Sequence, residues 1–173
     1  MRETMSSIAI RPEKLADIPS IEALHLACFE GPLEARLIGM LRDAGRLTVS
    51  LVAEEGEEVV GHVGFSPVTA GGEVGMGLAP LAVREASRGR RIGSQLILSG
   101  LDAVRSLQFG FAVVLGSPSL YGRCGFEPAS RFGLVDEYGG GEAFQVIPLR
   151  PGGVPQGAGI VRYATEFGIF GPE

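Results

Sequence analysis

Three features of the sequence predict an α/β (α+β) fold with a mixed sheet. Strand-like segments separated by short turns run in succession from Leu47 to Val83, a helix-period apolar pattern occupies Ile92 to Leu107, and a wholly apolar run, Phe111 to Leu115, follows it. Consecutive strands joined by tight turns pair antiparallel. A strand–helix–strand unit instead sets its two strands parallel, with a right-handed connection. One sheet therefore holds both kinds of pairing, with helices packed on it.

Each element has a local cause. Ser7 to Arg11 reads as a first strand. Asp17 is a candidate N-cap, and Ile21, Leu24 and Phe29 follow it at helical spacing. Pro32 opens a second helix with Leu33, Leu37, Met40 and Leu41 on one stripe, and Gly45 ends it. Leu47 to Glu54, Glu58 to Val68 and Val74 to Val83 are strands, divided by turns at Gly56 and at Ala70 to Gly72. Ile92, Leu96, Leu101, Val104 and Leu107 give the next helix its buried face. Phe111 to Leu115 has the unbroken apolar character of a central strand. Ser117 to Cys124 reads as a short helix with Pro118 in its first turn. Glu142 to Leu149 and Ile160 to Thr165 read as later strands, with GGVPQGAG between them as a loop.

The 173 residues suit one domain, with a C-terminal strand extension at about 150–173. Hydrophobic residues make up 45%, enough for a core without disulfide staples. No apolar run reaches the roughly 18 residues of a membrane span. The opening MRETMSSIAIRPEK lacks the apolar centre of a signal peptide, so no membrane partner and a cytoplasmic location are expected. Cys28 and Cys124 are the only cysteines, and free thiols are expected. His25 on a helix and His62 in a strand are isolated, so no metal is expected.

The net charge of −5 speaks against a general nucleic-acid binder. Even so, Arg84, Arg88, Arg90 and Arg91 fall close together in a chain whose only lysine is Lys14. A basic spot on an acidic body suggests a discrete anion site. The segment SRGRRIGS, Ser87 to Ser94, joins a strand to a helix, where the first helical N–H groups lack internal partners and attract a phosphate. Gly89 and Gly93 leave room for it, Ser94 adds a hydroxyl, and the arginines add charge-assisted bonds. Neither the P-loop pattern nor the dinucleotide fingerprint is present: no lysine follows Gly93, and Pro80 stands where Gly75-Met76-Gly77 would need a third glycine. Charge alone leaves a second reading open, a solvated arginine turn at the start of an ordinary helix.

Two motifs taken together are similar to a known family. LAPLAVREASRGRRIGSQLILSGL followed by VVLGSPSLYGRCGF resembles the acetyl-coenzyme A core of the GNAT superfamily of N-acetyltransferases. EARLIGMLR, LVAEEGEEVVGHVGFSPV and GEAFQV extend the likeness to its YhbS-like bacterial subgroup. The resemblance implies a mostly antiparallel sheet with helices on both faces and a β-α-β cofactor core. It implies that acetyl-coenzyme A is the acetyl donor. Arg88, Gly89, Arg90, Arg91, Ile92, Gly93 and Ser94 would hold the pyrophosphate, and Leu81, Ala82 and Val83 would bond the pantetheine arm like an added strand. An N–H of that strand would support the developing oxyanion. Tyr121, in the YxxxGF motif, would protonate the leaving thiolate. The expected activity is direct acetyl transfer, in a ternary complex, to a primary amine of a small molecule or peptide. A homodimer is expected from the family, and Phe29 with the turn Glu30-Gly31-Pro32 would cap the acceptor site or else serve only as a helix connection.

The chain departs from the family pattern in three places. Arg91 stands at a usual glycine, asparagine is absent from the whole chain, and Gly116-Ser117-Pro118 replaces a common Gly-Asp-Pro. The first two keep open the alternative of a non-catalytic acyl-coenzyme A-binding module. Glu30, Glu34 and His62 are the candidates for the base that takes the amine proton.

Overall fold

The computed structural model describes residues 7–170; residues 1–6, part of the segment weighed as a leader, lie outside the described residues. Strands β1 (Ile8–Pro12), β2 (Val49–Glu55), β3 (Glu58–Ala70) and β4 (Glu73–Val83) pair antiparallel in sequence order. Helices α1 (Ile18–Cys28) and α2 (Leu33–Asp43) connect β1 to β2. Helix α3 (Ile92–Ser106) carries the chain from β4 to a parallel neighbour, β5 (Phe111–Leu115). After α4 (Pro118–Arg123) come β6 (Glu127–Pro128), β7 (Leu134–Asp136), β8 (Phe144–Pro148) and β9 (Gly159–Tyr163). Strand β8 pairs antiparallel with β5 and β6, while β9 joins β3 at Val68 and Thr69 and runs parallel to β7. The antiparallel ladder and the parallel crossover follow the pattern expected from turn lengths.

The differences are local. Strands β6 and β7 are too short for a period to show in the sequence. Residues Gly141–Ala143 form a 3-10 turn, so β8 starts only at Phe144. Leu107 lies past the end of α3 and is 52% exposed. Asp17 does not cap α1 with its side chain. Its carboxylate accepts the Lys14 N–H at 2.7 Å and two Arg11 guanidinium N–H groups at 2.7 and 3.0 Å.

Alternation along β3 separates the two helical layers. A Cβ on Gly61 would meet Leu96 and Ile92 of α3, whereas one on Gly64, three residues on, would meet Ile38 of α2. Gly61, Val63 and Phe65 therefore face α3, and His62, Gly64 and Ser66 face α1 and α2. The α3 side holds a cluster that includes Val63, Phe65, Leu78, Leu96, Ile97 and Val114. Gly100 of α3 presses on the Phe65 ring so closely that a Cβ there would lie 2.2 Å from a ring carbon.

A polar thread crosses the other layer. The carboxylate of Glu13 takes two guanidinium bonds from Arg42, both at 2.9 Å, and a hydrogen bond from the Ser50 hydroxyl. Ser50 Oγ meets His62 Nε2 at 2.7 Å, and His62 Nδ1 meets His25 Nε2 at 2.8 Å. Both imidazoles are fully buried. Burial pushes Glu13 up, but the bonds from Arg42 and Ser50 outweigh it and leave the carboxyl below its usual range. Burial lowers His25 from 6.5 to about 4, with Arg42 adding to the effect. Burial, then His25 and Arg42, also hold His62 well below its usual value. Both rings are neutral at pH 7.

Two predictions follow from this packing. Gly100→Ala should destabilise by roughly 1–3 kcal/mol through overpacking against Phe65, although Gly→Ala in an open helix interior stabilises by about 1 kcal/mol; thermal unfolding distinguishes the signs. The buried histidines bind protons less readily folded than unfolded, so their stabilisation is complete above pH 6.5 and is lost as pH falls toward about 4. The melting temperature of the wild type should fall across that window. A His25→Gln variant, less stable at pH 7, should lose less over the same range; equal losses would contradict the assignment.

Candidate active site

The sheet opens at β4. Met76, Gly77 and Leu78 pair with Ala112, Val113 and Val114 of β5, and no β5 partner continues the ladder beyond Leu78. On its other side β4 stays bonded to β3, with a register shift opposite Val63 to Phe65. The Arg84 N–H donates to Val60 O at 2.8 Å. Backbone groups alternate in direction along a strand, so Leu81 and Val83 turn theirs to the open side, while Ala82 turns its own toward His62 of β3. Val83 O accordingly accepts the Arg88 Nε–H at 3.1 Å and the Cys28 thiol at 3.3 Å.

Helix α3 starts at the mouth of this opening. Gln95 N–H is the first to bond within the helix, reaching Arg91 O at 3.0 Å, so Ile92, Gly93 and Ser94 present free N–H groups at its positive end. The loop before it turns through two left-handed residues, Gly89 with φ 83° and Arg91 with φ 63°. Arg91 thus adopts the conformation that a glycine takes without strain, at a cost of about 1–2 kcal/mol, and keeps its N–H.

Leu81, Ala82, Val83, Arg88, Gly89, Arg91, Ile92, Gly93 and Ser94 line one groove of about 980 Å³. Arg90 does not. Its guanidinium forms a bidentate pair with Glu55 of β2, at 2.6 and 3.0 Å, and faces away from the groove. Arg84 pairs with Glu58 at 2.7 Å. The arginine run therefore splits, with two side chains pairing with the β2–β3 hairpin and two lining the groove. Arg123 of α4 joins Arg88 and Arg91 there, and no Asp or Glu is among the lining residues. Three cations and no anion on one wall of an acidic chain make a local positive field that attracts anions.

Sequence reasoning missed several of the wall residues. Gln95 and Leu98 lie four and seven residues after Arg91, on one face of α3, and Leu98 is 48% exposed. That exposed apolar position on a helix face was the legible signal. Phe29 was legible only as part of the junction with Glu30-Gly31-Pro32, and Cys28, at the end of α1, carried none.

Tyr121 sits in the buried cluster beneath α3, while its neighbour Leu120 lines the groove. Its ring meets Phe126 edge-on, with centroids 5.7 Å apart. Gly116 makes room for it, since a Cβ there would lie 2.6 Å from the ring. Burial, then the adjoining Cys124, pushes the phenol up to about 12, so it holds its proton at neutral pH. Ser117 caps α4, its hydroxyl accepting the Leu120 N–H at 3.5 Å. Serine and aspartate serve equally as N-caps, so the change from the common Gly-Asp-Pro leaves this helix start intact.

The three candidate bases separate. Glu30 is exposed, and Glu34 has a buried Oε2 without a partner among the described residues. His62 is bonded into the polar thread one strand away from the groove. The two histidines thus hydrogen-bond to each other, a pairing the sequence reading did not foresee. Among the described residues no cluster of three His, Cys, Asp or Glu side chains is placed to hold a metal, and no helix is long and apolar enough to cross a membrane.

Comparison with known proteins agrees with this geometry. Residues 18–126 match the model of the acetyltransferase (GNAT) family. The chain is 42% identical over 165 residues to the uncharacterized N-acetyltransferase YhbS of Escherichia coli, covering 93% of this chain and 99% of that protein. The crystal structure of Escherichia coli YhbS in complex with CoA superposes with a TM-score of 0.91 at 39% identity, covering 99% of this chain and 97% of the other. A GNAT family acetyltransferase from Brucella melitensis, solved in complex with acetyl-CoA, superposes at 0.78 with 33% identity, covering 94% and 99%. With the splayed β4–β5 pair, the free start of α3 and this similarity together, the chain belongs to the GNAT family of acetyltransferases.

Proposed function

We propose that the protein binds acetyl-coenzyme A along the open edge of β4 and moves its acetyl group directly to a primary amine of a small molecule or peptide. The observation that carries this reading is the juxtaposition of unpaired β4 backbone with the free N–H groups of α3, on a wall holding three arginines and no carboxylate. A pyrophosphate suits the N–H groups of Ile92, Gly93 and Ser94, with Arg88, Arg91 and Arg123 beside it. An amide-bearing arm suits the outward backbone of Leu81 and Val83, which accepts it as a sheet edge accepts a strand. The groove's volume, about 980 Å³, fits a large cofactor.

The bound thioester would supply an activated acetyl group and a thiolate leaving group. The chain's own residues do the rest. The open β4 edge orients the arm, and an N–H turned to it stabilises negative charge on the carbonyl oxygen. Tyr121, kept protonated by burial, donates its proton to the departing sulfur. The Arg91 departure is compatible with this role, because the left-handed turn and its N–H are both retained.

The direct test is thiol release from acetyl-coenzyme A with an alkyl diamine, an amino sugar and a tripeptide as acceptors. Release with at least one amine supports the reading, and none with any contradicts it. Tyr121→Phe should lower turnover by roughly 10²–10⁴-fold while leaving acetyl-coenzyme A affinity nearly unchanged, as read by calorimetry and steady-state kinetics. Arg91→Gly should weaken acetyl-coenzyme A binding by roughly tenfold through the lost charge-assisted bond. Arg91→Pro, lacking the N–H and unable to take a positive φ, should cost well over that; equal affinities for the two variants would contradict the loop's role.

A further inference from the structure

The polar thread has a direction, fixed at one end. Glu13, ionised and held by Arg42, only accepts hydrogen bonds. Ser50 must therefore give its proton to Glu13 and use its oxygen to accept from His62 Nε2–H. His62 Nδ1 is then a bare lone pair and accepts from His25 Nε2–H. The last atom, His25 Nδ1, is left as an unprotonated nitrogen. It is buried and has no partner among the described residues. An apolar side chain would fill this place without leaving a stranded lone pair, so the feature calls for a donor from outside the thread.

The thread also lies beside the groove. His62 stands opposite Ala82 in the β3–β4 register, next to the segment whose backbone faces the opening. His25 stacks on Phe29, with centroids 5.9 Å apart and planes 8° from parallel, and Phe29 and Cys28 form the α1 wall of the groove. We propose that His25 Nδ1, on a ring that lines the α1–α2 cleft rather than the groove itself, takes the proton released by the acceptor amine through water led past Phe29, and that His62, Ser50 and Glu13 are the positioning relay behind it; the proposal rests on the acetyl-transfer reading. As the amine nitrogen bonds to the acetyl carbon, the carbon–sulfur bond breaks and the Tyr121 proton goes to sulfur. The amine proton goes to His25 Nδ1. The Nε2 proton of His25 moves to His62 Nδ1, that of His62 to Ser50 Oγ, and that of Ser50 to Glu13. Glu13 becomes a neutral acid, and no imidazolium is left buried. The reset runs the relay backwards: Glu13 returns its proton to Ser50, each imidazole regains its Nε2–H, the Nδ1 proton of His25 passes to solvent once the product has left, and Tyr121 is reprotonated.

The charged groups around His25 are Glu22 on α1, Arg42 and Asp43 across the α1–α2 cleft, and Glu13 at the end of the thread. His62 faces it from β3. The decisive variant is Ser50→Ala, which cuts the relay without touching the groove. With acetyl-coenzyme A and the fastest of the three amines, it should lower kcat by roughly 10²-fold at pH 7 with KM values unchanged. The deficit should shrink as pH rises toward the amine's own pKa, about 10 for an alkyl amine and about 8 for a peptide α-amine, where the amine no longer depends on a base to become neutral. Ser50→Thr should restore the wild-type profile. A deficit equal at every pH, or none, overturns the proposal. Nitrogen-15 spectra of the wild-type imidazoles decide the matter without turnover: Nε2–H with bare Nδ1 on both histidines supports the relay, and an Nδ1–H on His25 overturns it. Wild-type protein inactive with every amine would instead defeat the acetyl-transfer reading itself.

Discussion

Beyond Leu78, β4 has a bonded neighbour on one side only. Backbone N–H and C=O groups are costly to leave unpaired away from water, so an edge of this kind inside a sheet needs a partner from elsewhere. Here the structure meets part of that need itself, with Arg88 and Cys28 on Val83 O. Under the proposed function the rest would be met by an extended, amide-bearing ligand. The separation of β4 from β5 also brings the start of α3 to the mouth of the opening, because the crossover helix must begin where β4 ends. One topological event thus sets an unpaired strand edge beside the free N–H groups of a helix start.

Charge is distributed to serve the same opening. Arg84 and Arg90 are held by Glu58 and Glu55 on the β2–β3 hairpin, and they anchor the arginine loop to the sheet. Arg88 and Arg91 are left for the groove, where Arg123 meets them from α4. Exposed pairs of this kind contribute only fractions of a kcal/mol to stability, so their main consequence is orientation. The opposite face of the sheet is organised differently. There the Glu13–Arg42 pair polarises a chain of neutral hydrogen bonds that ends in an acceptor at His25.

Much of this was legible in the sequence where the cause is local. The β4–α3–β5 crossover follows from turn lengths and from the change of apolar period at Ile92. The glycines and arginines of residues 88–94 name an anion turn by their chemistry. What escaped the sequence depends on partners far along the chain. Arg90 reads like its neighbours until Glu55, 35 residues away, is seen to hold it. His25 and His62 read as isolated until the packing of α1 on β3 brings their rings within hydrogen-bonding distance, 2.8 Å. Asp17 has the chemistry of an N-cap, but Arg11 and the Lys14 N–H take up its carboxylate. Strands β6 and β7 exist because β8 and β9 offer them an edge, and two or three residues carry no period of their own.

The central claim is that the open β4 edge and the α3 N-terminus form one site for a coenzyme A ligand. Thermal unfolding in the presence of acetyl-coenzyme A, coenzyme A, ATP or NAD tests it most directly. A ligand at about 100 times its dissociation constant adds roughly 2.7 kcal/mol, and each kcal/mol raises the midpoint of a domain this size by about 2–4 °C. The account predicts a rise of roughly 5–10 °C with the two coenzyme A ligands and little with ATP or NAD. An equal rise with all four would reduce the site to a general anion patch, and no rise with acetyl-coenzyme A would contradict the claim outright.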